Sequence, residues 1–223
     1  MKYLVVVAHP DDEVLGAGAS IYKFTRAGHS VAVATLVNHA AARRNLSSHL
    51  GEEQEKARAL LGVEKSYAAD FPNIKTNAVP HLELVQFVES CLKDYEPDIV
   101  ITHSPAETNI DHAMVSGAVQ AALRYPQRNE DAKPIRELWY MESASSTEWC
   151  VDSSVRRFTP NLFVEVGEEG LDKKLEALAL YAGVMRDYPH PRSEEALRGL
   201  AAWRGAQAGC HYAEAFEAVF RRI

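Results

Sequence analysis

A run of ionisable side chains directly follows the first apolar segment of this 223-residue chain. His9, Asp11, Asp12 and Glu13, with Pro10 among them, place three acids and an imidazole within five positions. This concentration of charge is unfavourable without a counter-charge, and a divalent cation supplies one. The proline fixes the backbone of the turn, and acidic residues also suit the first turn of a helix. The run therefore fits two interpretations, a cation site or the cap of a helix.

A second polar cluster, His103, Asn109, Asp111 and His112, follows an apolar segment at 98–102. Strands of an open α/β sheet present their carboxyl ends at one rim, so we expect both clusters to face the same rim. His9, one carboxylate of the first run and His112 would form a set of two histidines and one carboxylate with an open position, which is typical of catalytic zinc. The neighbouring carboxylate can act as general base, but the spacing does not say which aspartate takes which role.

Segments with strand-like and helix-like patterns alternate along the chain and must position these clusters. We predict strands at 2–8, 31–37, 65–69, 98–102, 136–142 and 162–166. We predict helices at 13–27, 52–61, 81–95, 110–124, 171–185, 193–204 and 212–221. The alternation indicates an α/β fold, a single domain over 1–223 with a mostly parallel sheet flanked by helices and a helical C-terminal third.

Composition and charge narrow the class of protein. Apolar residues make up 47% and charged residues 25%, as in an ordinary soluble globular protein. The net charge of −7 argues against nucleic acid or an anionic membrane as partner. No apolar run approaches the ~20 residues of a membrane span, and the first residues lack the long apolar core of a signal peptide, so we expect a cytoplasmic protein. Its three cysteines form no CxxC pair, which excludes a cysteine-only zinc site.

The two clusters also carry a resemblance to a known family. The segments 8–13 (AHPDDE) and 109–112 (NIDH) resemble the motifs of the LmbE-like, or PIG-L, family of zinc-dependent N-deacetylases. The segments 55–62, 97–103 and 212–216 are similar to further parts of that family. The resemblance implies a Rossmann-like fold with bound Zn²⁺ and removal of the acetyl group from the 2-amino group of a GlcNAc-type sugar or its conjugate.

The resemblance also implies roles for individual residues. His9, Asp12 and His112 match the zinc ligands of the family, Asp11 matches its general base, and Asp111 matches the aspartate that supports a ligand.

Asn109 is a departure from the family pattern. Many members carry a histidine at this position, and that histidine is thought to stabilise the oxyanion or to act as an acid. Asn109 can donate a hydrogen bond to an oxyanion but cannot supply a proton at neutral pH. His211 and His103 are candidates to replace the missing histidine.

Residues that recognise the substrate are harder to identify from the sequence. Arg43 and Arg44 lie in a long polar loop, where they would bind a sugar hydroxyl, a phosphate or a carboxylate, or simply be solvated. Trp139, Tyr140 and Trp149 would stack on a sugar ring or belong to the core. We expect a small N-acetylated amino sugar or its conjugate as the partner, and a homo-oligomer is an open alternative to a monomer.

Two alternatives to a deacetylase stay open at this stage. One is a sugar- or partner-binding protein that keeps the fold without catalysis, which the departure at Asn109 allows. The other is a magnesium-binding phospho-acceptor module, because paired acids after a first strand also occur there. Such a module needs an acceptor aspartate at the end of a middle strand and has no use for His9 or His112.

Overall fold

The computed structural model describes residues 1–38, 49–152, 154 and 156–223. At its centre is a seven-stranded sheet, whose strands in chain order are β1 Lys2–Val7, β2 Ser30–Thr35, β3 Lys65–Ala68, β4 Ile99–His103, β5 Glu137–Met141, β6 Leu162–Glu165 and β7 Ala213–Arg221. Their order across the sheet is β3-β2-β1-β4-β5-β7-β6. The first five strands run parallel, whereas β7 pairs antiparallel with both β5 and β6.

Helices cover both faces of this sheet. They are α1 Asp12–Arg26, α2 Leu50–Leu61, α3 His81–Tyr95, α4 Ile110–Ala122, α5 Tyr125–Arg128, α6 Gly167–Ala179 and α7 Glu194–Ala208, with a 3₁₀ turn at Thr76–Ala78. One core layer lies between the sheet and α1, α2, α6 and α7, and a second lies between the sheet and α3 and α4. The α/β fold class predicted from the sequence is confirmed.

Strand β1 shows why its sequence is continuously apolar. Val5 and Val7 pack into the first core layer, and Leu4 and Val6 pack into the second. Successive side chains of a strand point to opposite faces, so a strand covered on both faces needs apolar residues at every position. Gly16 lets α1 approach β5, because a Cβ at this position would lie 2.3 Å from the sulfur of Met141.

One predicted element is wrong. The segment 212–221 was expected to be a helix, but residues 213–221 form strand β7 between β5 and β6. Alanine and glutamate favour helices in isolation, yet pairing with two strands and burial of Phe216 outweigh that propensity. Of the other helices predicted in the C-terminal third, α7 overlaps the predicted range 193–204. Helix α6 begins four residues before the predicted range 171–185 and ends six residues before the end of that range.

The order of the strands creates a crevice beside β1. The chain runs outward from β1 to β2 and β3, then returns to β4 on the other side of β1. Such a switch point is where open α/β sheets bind ligands. Here the carboxyl ends of β1 and β4 bring the two polar clusters to one rim, as expected.

Two further predictions concern other parts of the chain. Arg43 and Arg44 lie outside the described residues, and no described helix is long and apolar enough to cross a membrane.

Candidate metal-binding active site

Three side chains from the two clusters converge on one point at the rim. Oδ2 of Asp12 lies 3.2 Å from Nδ1 of His9 and 3.3 Å from Nε2 of His112. The potential ligand atoms of these three residues all lie within 4.8 Å of one another, and all three residues are buried. His9 comes from the turn after β1, Asp12 opens α1, and His112 lies in the first turn of α4. Two imidazoles and a carboxylate in this arrangement can hold a divalent metal ion.

Each histidine of the cluster is oriented by a second carboxylate on its other ring nitrogen. Oδ2 of Asp111 lies 2.9 Å from Nε2 of His9, and Oε2 of Glu107 lies 3.4 Å from Nδ1 of His112. Asp111 is itself held by the hydroxyl and backbone N–H of Thr76, and Glu107 accepts a hydrogen bond from the Thr147 hydroxyl. Such outer carboxylates fix the ring orientation of metal-binding histidines. Both imidazoles therefore present their remaining nitrogen towards Asp12.

Electrostatics couple these groups tightly. Burial alone would lower the pKa of His9, but hydrogen bonds to Asp111 and Asp12 outweigh it and raise that pKa to about 9. Burial also opposes the charge on His112, yet the charge of Asp12 and hydrogen bonds to Asp12 and Glu107 raise its pKa to about 10. Burial would raise the pKa of Asp12, but His112 and His9 hold it well below its usual range. Without metal, protons on the two imidazoles compensate the buried carboxylates.

This proton arrangement predicts how the metal-free protein responds to pH. The folded-state pKa values of His9 and His112 lie above the usual 6.5, so their stabilising contribution is complete below about pH 6.5 and is lost as the pH rises through 9 and 10. We expect the free energy of unfolding of metal-free protein, measured with urea, to fall between pH 7 and 9.5. The fall should be smaller in His112→Gln, and an equal fall in both proteins would contradict the assignment.

Asp11 lies beside the cluster in an unusual conformation. It is buried, its φ is 96°, and this left-handed backbone is uncommon outside glycine. Ser145 is also left-handed, with a φ of 69°. The guanidinium of Arg192 reaches both residues, at 3.5 Å from Oδ2 of Asp11 and 2.7 Å from Oγ of Ser145. Strained residues often occur at functional sites, and Arg192 connects two of them here.

A buried network below the turn supports the conformation of Asp11. Oε2 of Glu13 accepts the backbone N–H of Asp11 at 3.1 Å. The other oxygen, Oε1, accepts hydrogen bonds of 3.0 Å from Nε of Arg58 and from the hydroxyl of Tyr181. Arg58 also donates to the hydroxyl of Thr35 at 2.6 Å. Glu13 is fully buried, so α2 and the segment after α6 hold the turn in place through one carboxylate.

Removing the charge of Glu13 should destabilise the protein strongly. Glu13→Gln leaves the buried guanidinium of Arg58 without its counter-charge, and breaking one partner of a buried ion pair costs about 3–5 kcal/mol. Urea denaturation should show this loss, together with reduced turnover because the turn carrying Asp11 loses its support. The matched change Glu55→Gln, at an exposed position of α2, should cost less than about 1 kcal/mol. Equal stability of the two variants would contradict this role for Glu13.

The three residues considered as replacements for the family histidine lie in different places. Asn109 caps α4, where its side-chain oxygen accepts the N–H of Asp111 at 3.0 Å. His103 is fully buried and stacks on His112, with ring centroids 3.9 Å apart. Its Nε2 accepts the backbone N–H of Ala8, and burial and the charge of His112 hold its pKa well below the usual value. His211 is exposed in the turn before β7 and has no hydrogen bond to the cluster among the described residues.

Two of the aromatic residues considered for stacking on a sugar ring lie in different environments. Trp139 packs against Tyr3 and Phe24 in the core, whereas Trp149 is exposed and contacts His190 edge-on.

The sequence did not lead us to predict Glu107 or Arg192 as residues of the site. An acid five residues before a candidate ligand was a usable signal for Glu107. Arg192 is 181 positions from Asp11, and nothing in the spacing connects the two.

The fold and the site define a Rossmann-like α/β protein with a two-histidine, one-carboxylate cluster at the switch point of its sheet. The model of the PIG-L family, described as GlcNAc-PI de-N-acetylase, matches residues 4–123, which is more than half of the chain and includes every member of the cluster. The chain belongs to this family. The family predicted from the two motifs is thereby confirmed.

Several solved structures share the fold of this chain. The conserved protein TT1542 from Thermus thermophilus has a TM-score of 0.82 at 21% identity, covering 99% of this chain and 96% of that one. The N,N'-diacetylchitobiose deacetylase from Pyrococcus horikoshii has a TM-score of 0.77 at 22% identity, covering 97% and 82%. GalB, the 4-carboxy-2-hydroxymuconate hydratase from Pseudomonas putida KT2440, has a TM-score of 0.78 at 22% identity, covering 100% and 98%. No curated protein sequence matches the chain significantly.

Proposed function

We propose that this protein is a zinc-dependent hydrolase that removes the N-acetyl group from a GlcNAc-type amino sugar or its conjugate. The observation that carries the proposal is the convergence of His9 and His112 on Asp12, with Asp11 held beside them in a strained turn. Membership of the PIG-L family supports the same chemistry, and the Pyrococcus deacetylase shares the fold.

The donor set fits a zinc ion. His9 would contribute Nδ1 and His112 would contribute Nε2, because their other nitrogens face Asp111 and Glu107. Asp12 would contribute a carboxylate oxygen, which completes three protein ligands and leaves a position for water or substrate. When bound, Zn²⁺ lowers the pKa of water towards ~7 and polarises an acyl carbonyl.

The remaining roles in the reaction belong to Asp11, Arg192 and Asn109. Asp11 accepts a proton from the water that attacks the acetyl carbonyl and returns it to the nitrogen of the leaving amine. Arg192 contacts the carboxylate of Asp11 and restricts its orientation. The amide of Asn109, fixed by the cap of α4, donates a hydrogen bond to the oxygen that becomes negative. The products are acetate and a free amino sugar.

The alternatives make different predictions. A hydratase is the second candidate, because GalB shares the fold as closely as the Pyrococcus deacetylase does. A phospho-acceptor module is disfavoured, because it needs an acceptor aspartate at the end of a middle strand. Here β1 is followed by His9, and β4 ends at His103. A binding protein without catalysis would not need a carboxylate such as Asp11 in a strained turn.

An acetate-release assay tests the proposal. Zinc-loaded protein should release acetate and free amine in equal amounts from at least one member of a panel of N-acetylglucosamine, its glycosides and nucleotide-linked forms. The same protein should not consume an unsaturated carboxylate, followed by ultraviolet absorbance. Loss of absorbance without release of acetate would support the hydratase. Absence of both activities would support a binding protein without catalysis.

A further inference from the structure

A buried ion pair that the proposed reaction does not use contacts the middle of helix α1. Nζ of Lys174, on α6, lies 2.7 Å from Oε1 of Glu214, on β7, and the two side chains are only 8% and 6% exposed. Replacing a buried ion pair by apolar residues is often neutral or stabilising. Stability alone therefore explains this pair poorly, and its contacts with α1 offer a better explanation.

The pair contacts two backbone groups of α1 that bond to each other in a regular helix. There, the N–H of Ala19 would donate to the carbonyl of Leu15, four residues earlier. In α1, the carbonyl of Leu15 accepts a hydrogen bond of 2.7 Å from Nζ of Lys174. The N–H groups of Ala19 and Ser20 donate to Oε1 and Oε2 of Glu214, at 3.3 and 2.7 Å. The ammonium and both carboxylate oxygens thus enter the hydrogen-bond ladder of this helix.

The surroundings of the pair leave no room for a ligand. The cavity that Lys174 and Glu214 line has a volume of about 20 Å³, which holds at most a single water molecule. Gly18 allows the pair to approach α1, because a Cβ at this position would lie 3.2 Å from Cγ of Lys174. The pair therefore acts on the helix itself and not on a bound molecule.

Hydrogen bonds connect the pair to the turn that carries the proposed metal ligand and base. Lys174 fixes the carbonyl of Leu15, and the N–H of Leu15 donates to the carbonyl of Asp11 at 2.9 Å. Asp12 is the first residue of α1, three positions before Leu15. A side chain that enters the ladder of a helix lets the turns on either side differ in direction. The direction of the first turn of α1, and with it the placement of Asp12, therefore depends on the pair.

We propose that Lys174 and Glu214 are positioning residues of the metal site, which hold Asp12 in place for the metal through the first turn of α1. This inference rests on the metal site of the proposed function. Both residues act through the backbone of the helix, from α6 and from β7, and neither serves as a ligand.

The affinity of Glu214→Gln for zinc tests the proposal. The amide keeps the size of the side chain, but its NH₂ group cannot accept a hydrogen bond from a backbone N–H or from Lys174. We expect the Kd for Zn²⁺, measured by competition with a chromophoric chelator, to rise about 10–100-fold, the usual effect of losing a group that orients a metal ligand. Lys174→Met, which leaves the carbonyl of Leu15 without its ammonium partner, should raise this Kd in the same way.

Two controls separate positioning from loss of stability and loss of charge. Leu92→Ala, in the core layer between the sheet and α3, should lower the free energy of unfolding without changing the Kd for Zn²⁺. Glu176→Gln removes a carboxylate of α6 that pairs with Lys173 at the surface, and it should change neither quantity. The visible absorption spectrum of Co²⁺-loaded protein reports the geometry of the ligands. It should differ from wild type only in the Glu214 and Lys174 variants.

The outcomes separate this inference from the proposed function. If Glu214→Gln and Lys174→Met lose stability but keep the Kd and the Co²⁺ spectrum of wild type, the pair is only structural and the inference is wrong. Acetate release by wild type would still support the proposed function in that case. If both variants lose affinity for zinc, but zinc-loaded wild type releases no acetate, the positioning role is supported and the proposed function is refuted. Should Glu214→Gln fail to fold, Lys174→Met provides the same test, because it keeps the carboxylate that accepts both N–H groups.

Discussion

Asp11→Asn is expected to lower kcat for acetate release by about 10²–10⁴-fold, the usual contribution of a general base. The amide cannot accept the proton of the attacking water, but it keeps the size of the side chain in the strained turn. The metal should stay bound with unchanged stoichiometry, because the proposed ligands His9, Asp12 and His112 are intact. Steady-state kinetics and elemental analysis of the same sample measure both quantities.

A matched exchange separates loss of the base from loss of charge. Asp172→Asn removes a carboxylate that is paired with Arg198 at the surface, and it should change turnover by less than about twofold. If Asp11→Asn retains full turnover with metal bound, Asp11 is not the base. If Asp11→Asn also loses metal, the carboxylate of Asp11 belongs to the ligand set, and the roles assigned to Asp11 and Asp12 are exchanged.

His112→Ala is expected to abolish metal binding at stoichiometric concentrations and to reduce acetate release to the level of chelated protein. The change removes one of three proposed ligands and leaves Asp12 and Glu107 as buried carboxylates without their shared imidazole. The apparent Kd for Zn²⁺, measured by competition with a chromophoric chelator, should rise by more than about 100-fold, since even loss of an outer-shell partner costs about 10–100-fold.

His103 and His81 provide controls for this result. His103→Gln removes a histidine that stacks on His112, but its Nε2 already accepts a backbone N–H, so metal should be retained at some cost in stability. His81→Ala removes an exposed imidazole and should change nothing measurable. Full metal occupancy in His112→Ala would remove this residue from the ligand set, and loss of metal in His103→Gln would place His103 in it.

Much of the site could be predicted because it is built from local sequence. The turn 9–13 follows the buried apolar strand β1, and His112 lies in the first turn of α4, the helix that follows β4. Parallel strands must present these ends at one rim, so the convergence of His9 and His112 follows from the pattern of elements. The motifs at 8–13 and 109–112 then indicate the PIG-L family, as the family model confirms.

Contacts that depend on the distant packing of the chain were beyond sequence reasoning. Arg192 reaches Asp11 from the segment after α6, and Tyr181 reaches Glu13 from the same part of the chain. Strand β7 was missed because its alanines and glutamates favour a helix until β5 and β6 are present on both sides. Glu214 accepts the N–H of Ser20 and pairs with Lys174, and these contacts also join segments that are far apart in the chain.

The most direct test of the central claim is to measure acetate release as zinc is added to metal-free protein, using an N-acetylglucosamine glycoside as substrate. We predict that acetate and free amine form in a one-to-one ratio, and that the rate rises linearly and levels off at one ion per chain. A rate independent of added metal, or no acetate from folded protein carrying one ion per chain, would contradict the account.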